Sequence, residues 1–338
     1  MATLAAQPAT ARSWLAHAFV RVGVLPVLLA AAFVLFTLLS DRFLTWPNLS
    51  NVLRQTSYLT MVSMGQMIVL LTGGFDLSVG TILAITSVTG ALAMAGVSAA
   101  MPDAVWLAIS LGMFAGFLAG LSVGVVNGIG VAVFNVSPFI MTLGMASVGF
   151  GIALYLTAGM PVRGLPYAFS DLFGGGEFLG LRAPVWVTIA LALVVYGVLY
   201  WTRLGRYFYA VGGNIKAAAL SGVRTNLTLF LAYVLCAALA SVAGLMLTAR
   251  METGEANIGS SMPLESIAAC VIGGVSLRGG TGRLGFVILG ALFIGVVQNG
   301  MNLARVESYL QIVVTGVILI LAVVADEARR KVLAGLQD

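Results

Sequence analysis

The sequence predicts an all-α, polytopic membrane protein with about ten transmembrane helices. Of its 338 residues, 60% are apolar and only 9% are charged, whereas a soluble domain carries about 25% charged residues. Most of the chain must therefore face lipid. Its apolar residues also form runs close to the roughly 20 residues that a membrane-spanning helix needs. The net charge of +5 is spread over the ends of these runs, which indicates membrane topology rather than nucleic-acid binding.

Ten apolar segments are candidate spans. The fourth is long enough to be tilted or broken, and the eighth is short enough to be re-entrant, so eight or nine spans are the alternatives. We expect residues 1–21 to form a cytoplasmic tail, 22–325 a single transmembrane domain and 326–338 a second cytoplasmic tail. The ten segments are Val22–Ser40, Tyr58–Thr72, Val79–Ala99, Val105–Val133, Pro138–Ala158, Pro184–Trp201, Leu227–Ala249, Pro263–Gly274, Leu284–Leu303 and Tyr309–Ala325.

The basic residues predict the orientation of these spans. With both termini inside, eleven of the 17 Lys and Arg residues lie on the cytoplasmic side, as the positive-inside rule requires. Those inside are Arg12, Arg21, Arg203, Arg206, Lys216, Arg224, Arg278, Arg283, Arg329, Arg330 and Lys331. Those outside are Arg42, Arg54, Arg163, Arg182, Arg250 and Arg305.

The cytoplasmic loop at residues 202–226 is basic and punctuated by glycines. Gly205 and the pair Gly212-Gly213 are expected to form turns at its two ends. The intervening alanines around Ala218 favour a short helix, which Gly222 can end. Such a loop is suited to docking a soluble partner.

Glycines mark two further features. The fourth span carries a glycine every four residues, at Gly112, Gly116, Gly120, Gly124 and Gly128. This spacing predicts one smooth face for tight helix packing, with a pathway role as the alternative because Asn127 lies beside it. In addition, the turns Gly73-Gly74-Phe75-Asp76-Leu77 and Gly273-Gly274-Val275-Ser276-Leu277 resemble each other, which is weak evidence for internal symmetry.

Polar residues in or beside apolar runs are functional candidates because they are costly in lipid. Asp76, Ser78 and Glu265 follow helix breaks, so a capping role competes with a role in transport. Seven uncharged residues suit a path for a neutral, hydroxyl-rich solute, although each is also suited to bonding a neighbouring helix. They are Gln66, Asn127, Asn135, Thr142, Gln298, Asn299 and Asn302.

The sequence lacks the motifs typical of nucleotide-binding, catalytic and metal sites. The only lysines, Lys216 and Lys331, do not follow a glycine, so no phosphate-binding G-x-x-x-x-G-K-[ST] loop exists. His17 is the only histidine, and Cys236 and Cys270 lie in separate apolar runs, where we expect packing residues rather than a metal site. We therefore expect neither an enzyme nor a bound cofactor.

Ordered motifs over roughly residues 45 to 325 resemble the permeases of bacterial binding-protein-dependent ABC importers, in the group that carries ribose, xylose, arabinose and galactose. The motifs are Gly73 to Gly80; Ser137 to Ile140 with Thr142 to Gly144; Gly159 with Pro161-Val162; Gly205-Arg206 through Gly212-Gly213-Asn214 to Ser221-Gly222; and Glu265 with Ile267 to Ala269, Gly273-Gly274, Ser276-Leu277, Gly279-Gly280, Gly282-Arg283 and Asn299-Gly300 with Asn302.

This resemblance implies a fold of the vitamin-B12-importer type in the bacterial inner membrane. It also implies a cytoplasmic ATPase that binds the ATP, a periplasmic sugar-binding protein and a second permease, either identical or a paralogue. The loop from Gly205 to Gly222 becomes the coupling loop that seats in the ATPase, with Gly205, Arg206, Gly212, Gly213, Asn214, Ala218, Ser221 and Gly222 as its residues. Family members often carry an acidic residue after the Gly-Asn pair, where this chain has Ile215 and Lys216.

Other functions remain as alternatives. Within the same class, the solute is a signalling furanone, a nucleoside or a branched-chain amino acid. In another class, the chain is an autonomous proton-coupled carrier that uses Asp76 and Glu265. A channel is a further alternative, although no ring of charged residues is apparent that would select ions.

Overall fold

The structure, a computed structural model, describes residues 25–334, and side chains as far as Val324. The predicted tail 1–21 and the last four residues lie outside the described residues. Thirteen helices are described: α1 (Leu25–Leu39), α2 (Trp46–Leu71), α3 (Val79–Ala100), α4 (Val105–Ala132), α5 (Pro138–Thr157), α6 (Tyr167–Phe169), α7 (Ala183–Trp201), α8 (Arg203–Gly213), α9 (Ile215–Leu220), α10 (Thr225–Met251), α11 (Met262–Ile272), α12 (Leu284–Leu303) and α13 (Ser308–Ala334). A π-helical turn (Ser170–Gly175) and a two-stranded antiparallel hairpin, β1 (Glu177–Phe178) and β2 (Leu181–Arg182), join α6 to α7.

Each predicted span coincides with a helix. Within residues 25–334, six helices are long and apolar enough to cross a membrane, namely α3, α4, α5, α7, α10 and α12. The chain is therefore a multi-pass membrane protein. The apolar helices α1 and α11 and the apolar part of α13 are shorter, so the count of ten spans remains a prediction.

The second helix differs most from its predicted span. We expected Tyr58–Thr72, but α2 begins at Trp46 and is 26 residues long. Its first turns contain Asn48, Asn51 and Arg54, which interrupt the apolar run without interrupting the helix. From Thr56 to Leu71 every residue is buried, because α2 is surrounded by α10, α12, α11 and α7. It forms the centre of the core.

The glycine stripe of α4 packs as predicted. All five glycines are buried. A Cβ added at Gly116 would lie 2.7 Å from the Thr86 carbonyl oxygen of α3, and one at Gly124 would lie 2.8 Å from the Tyr233 carbonyl oxygen of α10. The stripe therefore lets α4 approach the backbones of both helices. Cys236 and Cys270 are free and buried, in agreement with a packing role.

The eighth predicted span coincides with a helix that is too short to cross the membrane. The helix α11 has 11 residues and is therefore about 16 Å long, too short to cross a bilayer. The segment before it runs along α3 in the opposite direction, since a Cβ at Gly254 would reach 3.1 Å from the Ser87 carbonyl oxygen and one at Gly80 would lie 2.7 Å from the Gly259 carbonyl oxygen. Of residues 252–261, only Gly254 is fully buried.

Candidate functional site

The segment at residues 202–226 folds into two consecutive helices rather than one. Thr202 begins α8, and its hydroxyl oxygen accepts the N–H of Gly205 at 3.3 Å. Asn214 begins α9, and its side-chain oxygen accepts the N–H of Ala217 at 3.0 Å. These are N-cap interactions, which satisfy N–H groups that the helices leave unpaired. We call α8 and α9 together the platform.

The structure corrects the expectation of turns at Gly205 and Gly212-Gly213. Gly205 lies in the first turn of α8 and is buried against the backbone of Leu199. Gly212 lies near the end of α8, where a Cβ would overlap the Leu71 carbonyl oxygen and lie 2.5 Å from the Gly280 nitrogen. Only glycine permits these approaches, so both residues serve contact rather than chain reversal. Gly213, the next residue, faces open space.

The helix α9 is exposed on most of its surface. Leu220 is 91% exposed, and Ile215 is 46% exposed, whereas Ala218 is only 5% exposed. Ala218 therefore faces the protein itself, and its carbonyl accepts the N–H of Val223 at 3.1 Å. Gly222, which follows α9, has φ of 83°, the left-handed conformation typical of a helix end. The predicted residues Arg206, Ser221 and Asn214 are exposed.

The platform is tied to the turn between α11 and α12. The Tyr209 hydroxyl of α8 donates to the Gly282 carbonyl at 3.0 Å. Next to the platform, the Tyr200 hydroxyl at the end of α7 accepts the N–H of Leu284 at 3.1 Å. Burial raises the pKa of Tyr209, so this phenol stays a donor. The platform is therefore hydrogen-bonded to the turn that joins α11 to α12.

The two similar Gly-Gly turns meet beside the platform. Gly73 and Gly274 both have positive φ, of 81° and 76°. The turn after Gly274 reaches back, because the Gly280 N–H donates to the Leu71 carbonyl at 2.9 Å and a Cβ at Gly279 would lie 2.8 Å from the Gly73 nitrogen. The ends of α2 and α11 are thus joined to each other and to α8.

A buried polar cluster lies next to the first of these turns. It is centred on Asp76 and Ser78, which are both 0% exposed. The Asp76 carboxylate accepts the Ser78 N–H at 2.9 Å and the Ser78 hydroxyl at 2.6 Å. The Asn127 amide donates to the Ser78 hydroxyl oxygen at 2.7 Å. Burial raises the pKa of the Asp76 carboxyl, while the bonds from Ser78 oppose that rise.

Two more predicted pathway residues join this cluster. The Gln66 amide, in the orientation that satisfies both of its atoms, pairs with the backbone N–H and carbonyl of Asp76 at 3.3 and 3.1 Å. The Thr142 hydroxyl donates to Pro138 at 2.8 Å and faces the Phe75 carbonyl at 3.4 Å. Sequence reasoning missed Tyr233, whose hydroxyl also donates to Phe75 at 3.4 Å. The sequence does give one signal for this residue, since it is a single tyrosine inside an otherwise apolar run.

The remaining predicted residues lie elsewhere. Asn299 exchanges two hydrogen bonds of 3.0 Å with Asn48, and Asn302 accepts from Gln311 at 2.9 Å. Glu265 lies in the first turn of α11, where its charge suits the helix dipole, and its side chain lies near Ser261 and Gln298. Asn135 is exposed, with φ of 53°. Three of the seven polar residues, Gln66, Asn127 and Thr142, therefore lie together, and the role of all seven in a pathway stays a prediction.

Known proteins resemble this chain over most of its length. The family model described as "Branched-chain amino acid transport system / permease component" matches residues 48–323. The ribose import permease protein RbsC of Escherichia coli K12 is 40% identical over 295 residues, which cover 86% of this chain and 89% of the relative. RbsC of Bacillus subtilis 168 is 39% identical over 299 residues, covering 88% and 89%.

A third relative, the L-arabinose transport system permease protein AraH of Escherichia coli K12, is 34% identical over 306 residues, covering 90% of both chains. No solved structure was found that matches the chain. The length of the family match and the level of identity to these relatives show that the chain belongs to the permease-component family of branched-chain amino acid and related transport systems.

Proposed function

We propose that this chain is the membrane permease subunit of a binding-protein-dependent ABC importer that carries a monosaccharide, a pentose or a hexose, into the cytoplasm. The observation that carries this proposal is the similarity of almost the whole chain to permeases named for ribose and arabinose. D-Allose is the solute in the name of another relative, at 35% identity over 88% of the chain. Three relatives thus name neutral sugars, although the family model names branched-chain amino acids.

The geometry of the platform supports coupling to a separate ATPase. The helix α9 presents Leu220 and Ile215 to solvent, and an exposed apolar residue on a short, capped helix is suited to burial against a partner. Behind it, α8 contacts the end of α2 and the turn between α11 and α12. When a nucleotide-binding subunit closes on ATP, a push on α9 therefore moves α8 and the two Gly-Gly turns as one body.

The same proposal assigns the remaining partners and the orientation. The platform and both termini lie in the cytoplasm of a bacterial inner membrane, and a sugar-loaded binding protein docks on the opposite face. A second permease, identical or paralogous, completes the path. The exposed face of α5 supports this pairing, because Gly144 and Gly151 have nothing within 4 Å of an added Cβ, and small residues on lipid-embedded helices favour close helix packing.

Reconstituted uptake tests this function. The chain is placed in proteoliposomes with its ATPase, and the binding protein is loaded with labelled ribose, arabinose, allose or leucine. We expect uptake of one sugar only when ATP is present on the ATPase side. A protonophore should leave the rate unchanged, which distinguishes an importer from a proton-coupled carrier. Uptake by the chain alone, or of leucine but no sugar, would refute the proposal.

A further inference from the structure

Three arginines lie close together on the side of the molecule away from the platform. Arg54 follows the first two turns of α2, Arg182 directly precedes α7, and Arg250 is the last residue but one of α10. All three are half-buried. They are also three of the six basic residues that the predicted topology leaves outside, against the general bias. We call them, with Tyr58, the arginine cluster.

The cluster is held by packing and by hydrogen bonds, including one from Arg182 to the Gly175 carbonyl at 3.1 Å, and Glu177 lies opposite Arg182 in the hairpin. The Arg250 guanidinium carbon lies 5.6 Å from the centre of the Tyr58 ring, and Tyr58 lies one helical turn after Arg54. Arg250 and Arg182 both repel the Arg54 guanidinium, whereas Tyr58 acts in the opposite direction. Like charges held together in a half-buried place are unfavourable unless an anion compensates them.

Two hydrogen-bond donors in this cluster are buried without a partner. They are the Nε of Arg54 and the hydroxyl of Tyr58. Another guanidinium nitrogen of Arg54 donates to Asn51 at 2.7 Å, so the side chain is fixed while its Nε remains unpaired. Buried polar groups are nearly always paired, and a charged one is costly to leave unpaired. An oxyanion beside the cluster would supply the missing acceptor and offset the positive charge of the arginines.

The surroundings indicate the depth of a membrane interface. The hairpin β1–β2 ends in Phe178 and Leu179, which are 65% and 75% exposed. The ring of Phe178 packs edge-on against Trp186 at 5.9 Å. Trp46 is 58% exposed at the start of α2. Aromatic residues gather where the acyl chains of a bilayer meet the headgroups, so the arginines beside them lie at headgroup depth.

We infer that Arg54, Arg182 and Arg250, with the Tyr58 hydroxyl, bind the phosphate of an anionic membrane lipid. Guanidinium groups match phosphate geometry well, and basic pockets between membrane helices hold lipid headgroups. The acyl chains would lie along the apolar surface below the hairpin. This site is independent of the proposed sugar import, so its test does not involve transport.

Native mass spectrometry of the purified full chain tests the inference. The probes are phosphatidylglycerol and a diacylglycerol with the same acyl chains, which lacks only the phosphate headgroup. We expect the unmodified chain to retain phosphatidylglycerol preferentially. Arg54→Gln and Arg250→Gln should each weaken this retention about fivefold, the effect expected for one arginine near an anionic surface. Arg42→Gln is the matched control, because Arg42 is exposed and outside the cluster, and it should change nothing.

Three results would overturn the inference. They are equal retention of the two lipids, unchanged retention in both cluster variants, and occupancy of the site by inorganic phosphate that added phosphatidylglycerol does not displace. If Arg54→Gln fails to fold, Arg250→Gln at the end of α10 gives the same test. Circular dichroism confirms that each variant is folded.

Discussion

The contact at Gly212 gives the most specific prediction for coupling. In a Gly212→Ala variant, the new methyl group would overlap the Leu71 carbonyl oxygen and lie 2.5 Å from the Gly280 nitrogen. Both are backbone atoms, so the platform must move away. We expect overpacking to cost about 1–3 kcal/mol, and loss of the 2.9 Å bond between Gly280 and Leu71 to cost about 1 kcal/mol more. The higher helix propensity of alanine offsets at most about 1 kcal/mol.

A net loss of about 2 kcal/mol shifts the folding equilibrium about 30-fold. A thiol-reactive dye can follow this loss on heating, because Cys236 and Cys270 are buried until the protein unfolds. ATP-dependent uptake should fall as well. The control is Gly213→Ala, where the methyl group meets nothing within 4 Å, and it should be neutral. Equal melting temperatures and uptake rates for the two variants would show that the close approach at Gly212 does not matter.

The other predictions concern the core, the polar cluster and the platform surface. Gly116→Ala should destabilise the protein by about 1–2 kcal/mol, because the methyl group meets the backbone of α3 at 2.7 Å. The control Gly144→Ala, whose methyl group lies in open space, should leave the stability unchanged. Identical melting curves for the two variants would contradict this prediction. Asp76→Asn should keep at least half of the uptake rate, since an amide oxygen can still accept the two bonds from Ser78, whereas a proton carrier would lose transport entirely. Leu220→Ala should weaken ATPase binding about 30-fold, from the loss of about 2 kcal/mol of apolar burial, and titration of the purified ATPase measures it.

Periodicity and spacing predicted the features of this fold that depend on local sequence. Each of the ten apolar runs coincides with a helix. The four-residue spacing of Gly112 to Gly128 also predicted the face of α4 that packs against α3 and α10. Both follow from helix geometry alone. The start of α2 could not be predicted in this way, because Asn48 and Arg54 look like the end of an apolar segment and are accommodated only by tertiary contacts.

The site was predictable in part. Asp76 and Ser78 were expected to cap the helix that follows the first Gly-Gly turn. Ser78 is the N-cap residue of α3 but its side chain makes no cap bond, and the Asp76 carboxylate accepts instead from the Ser78 N–H and hydroxyl. That Gln66, Asn127 and Thr142 converge on them depends on how three helices pack, and no local pattern encodes it. Likewise, Gly212 was expected to turn the chain, whereas it allows contact with Leu71 and Gly280, which are distant in sequence. The sequence showed that the two Gly-Gly turns are similar, but it did not predict that they contact each other.

The central claim is that an external ATPase engages the platform, and cross-linking from Leu220 tests it most directly. Leu220→Cys, in membranes that contain the ATPase, is treated with a short thiol-reactive cross-linker, while Cys236 and Cys270 stay buried. We predict capture of the nucleotide-binding subunit, with a yield that changes when ATP is added. Leu172→Cys, also exposed but in the loop between α5 and α7, should capture none. If Leu220→Cys captured only periplasmic proteins, or reacted with an impermeant reagent from the periplasmic side, the proposed orientation and coupling would both be wrong.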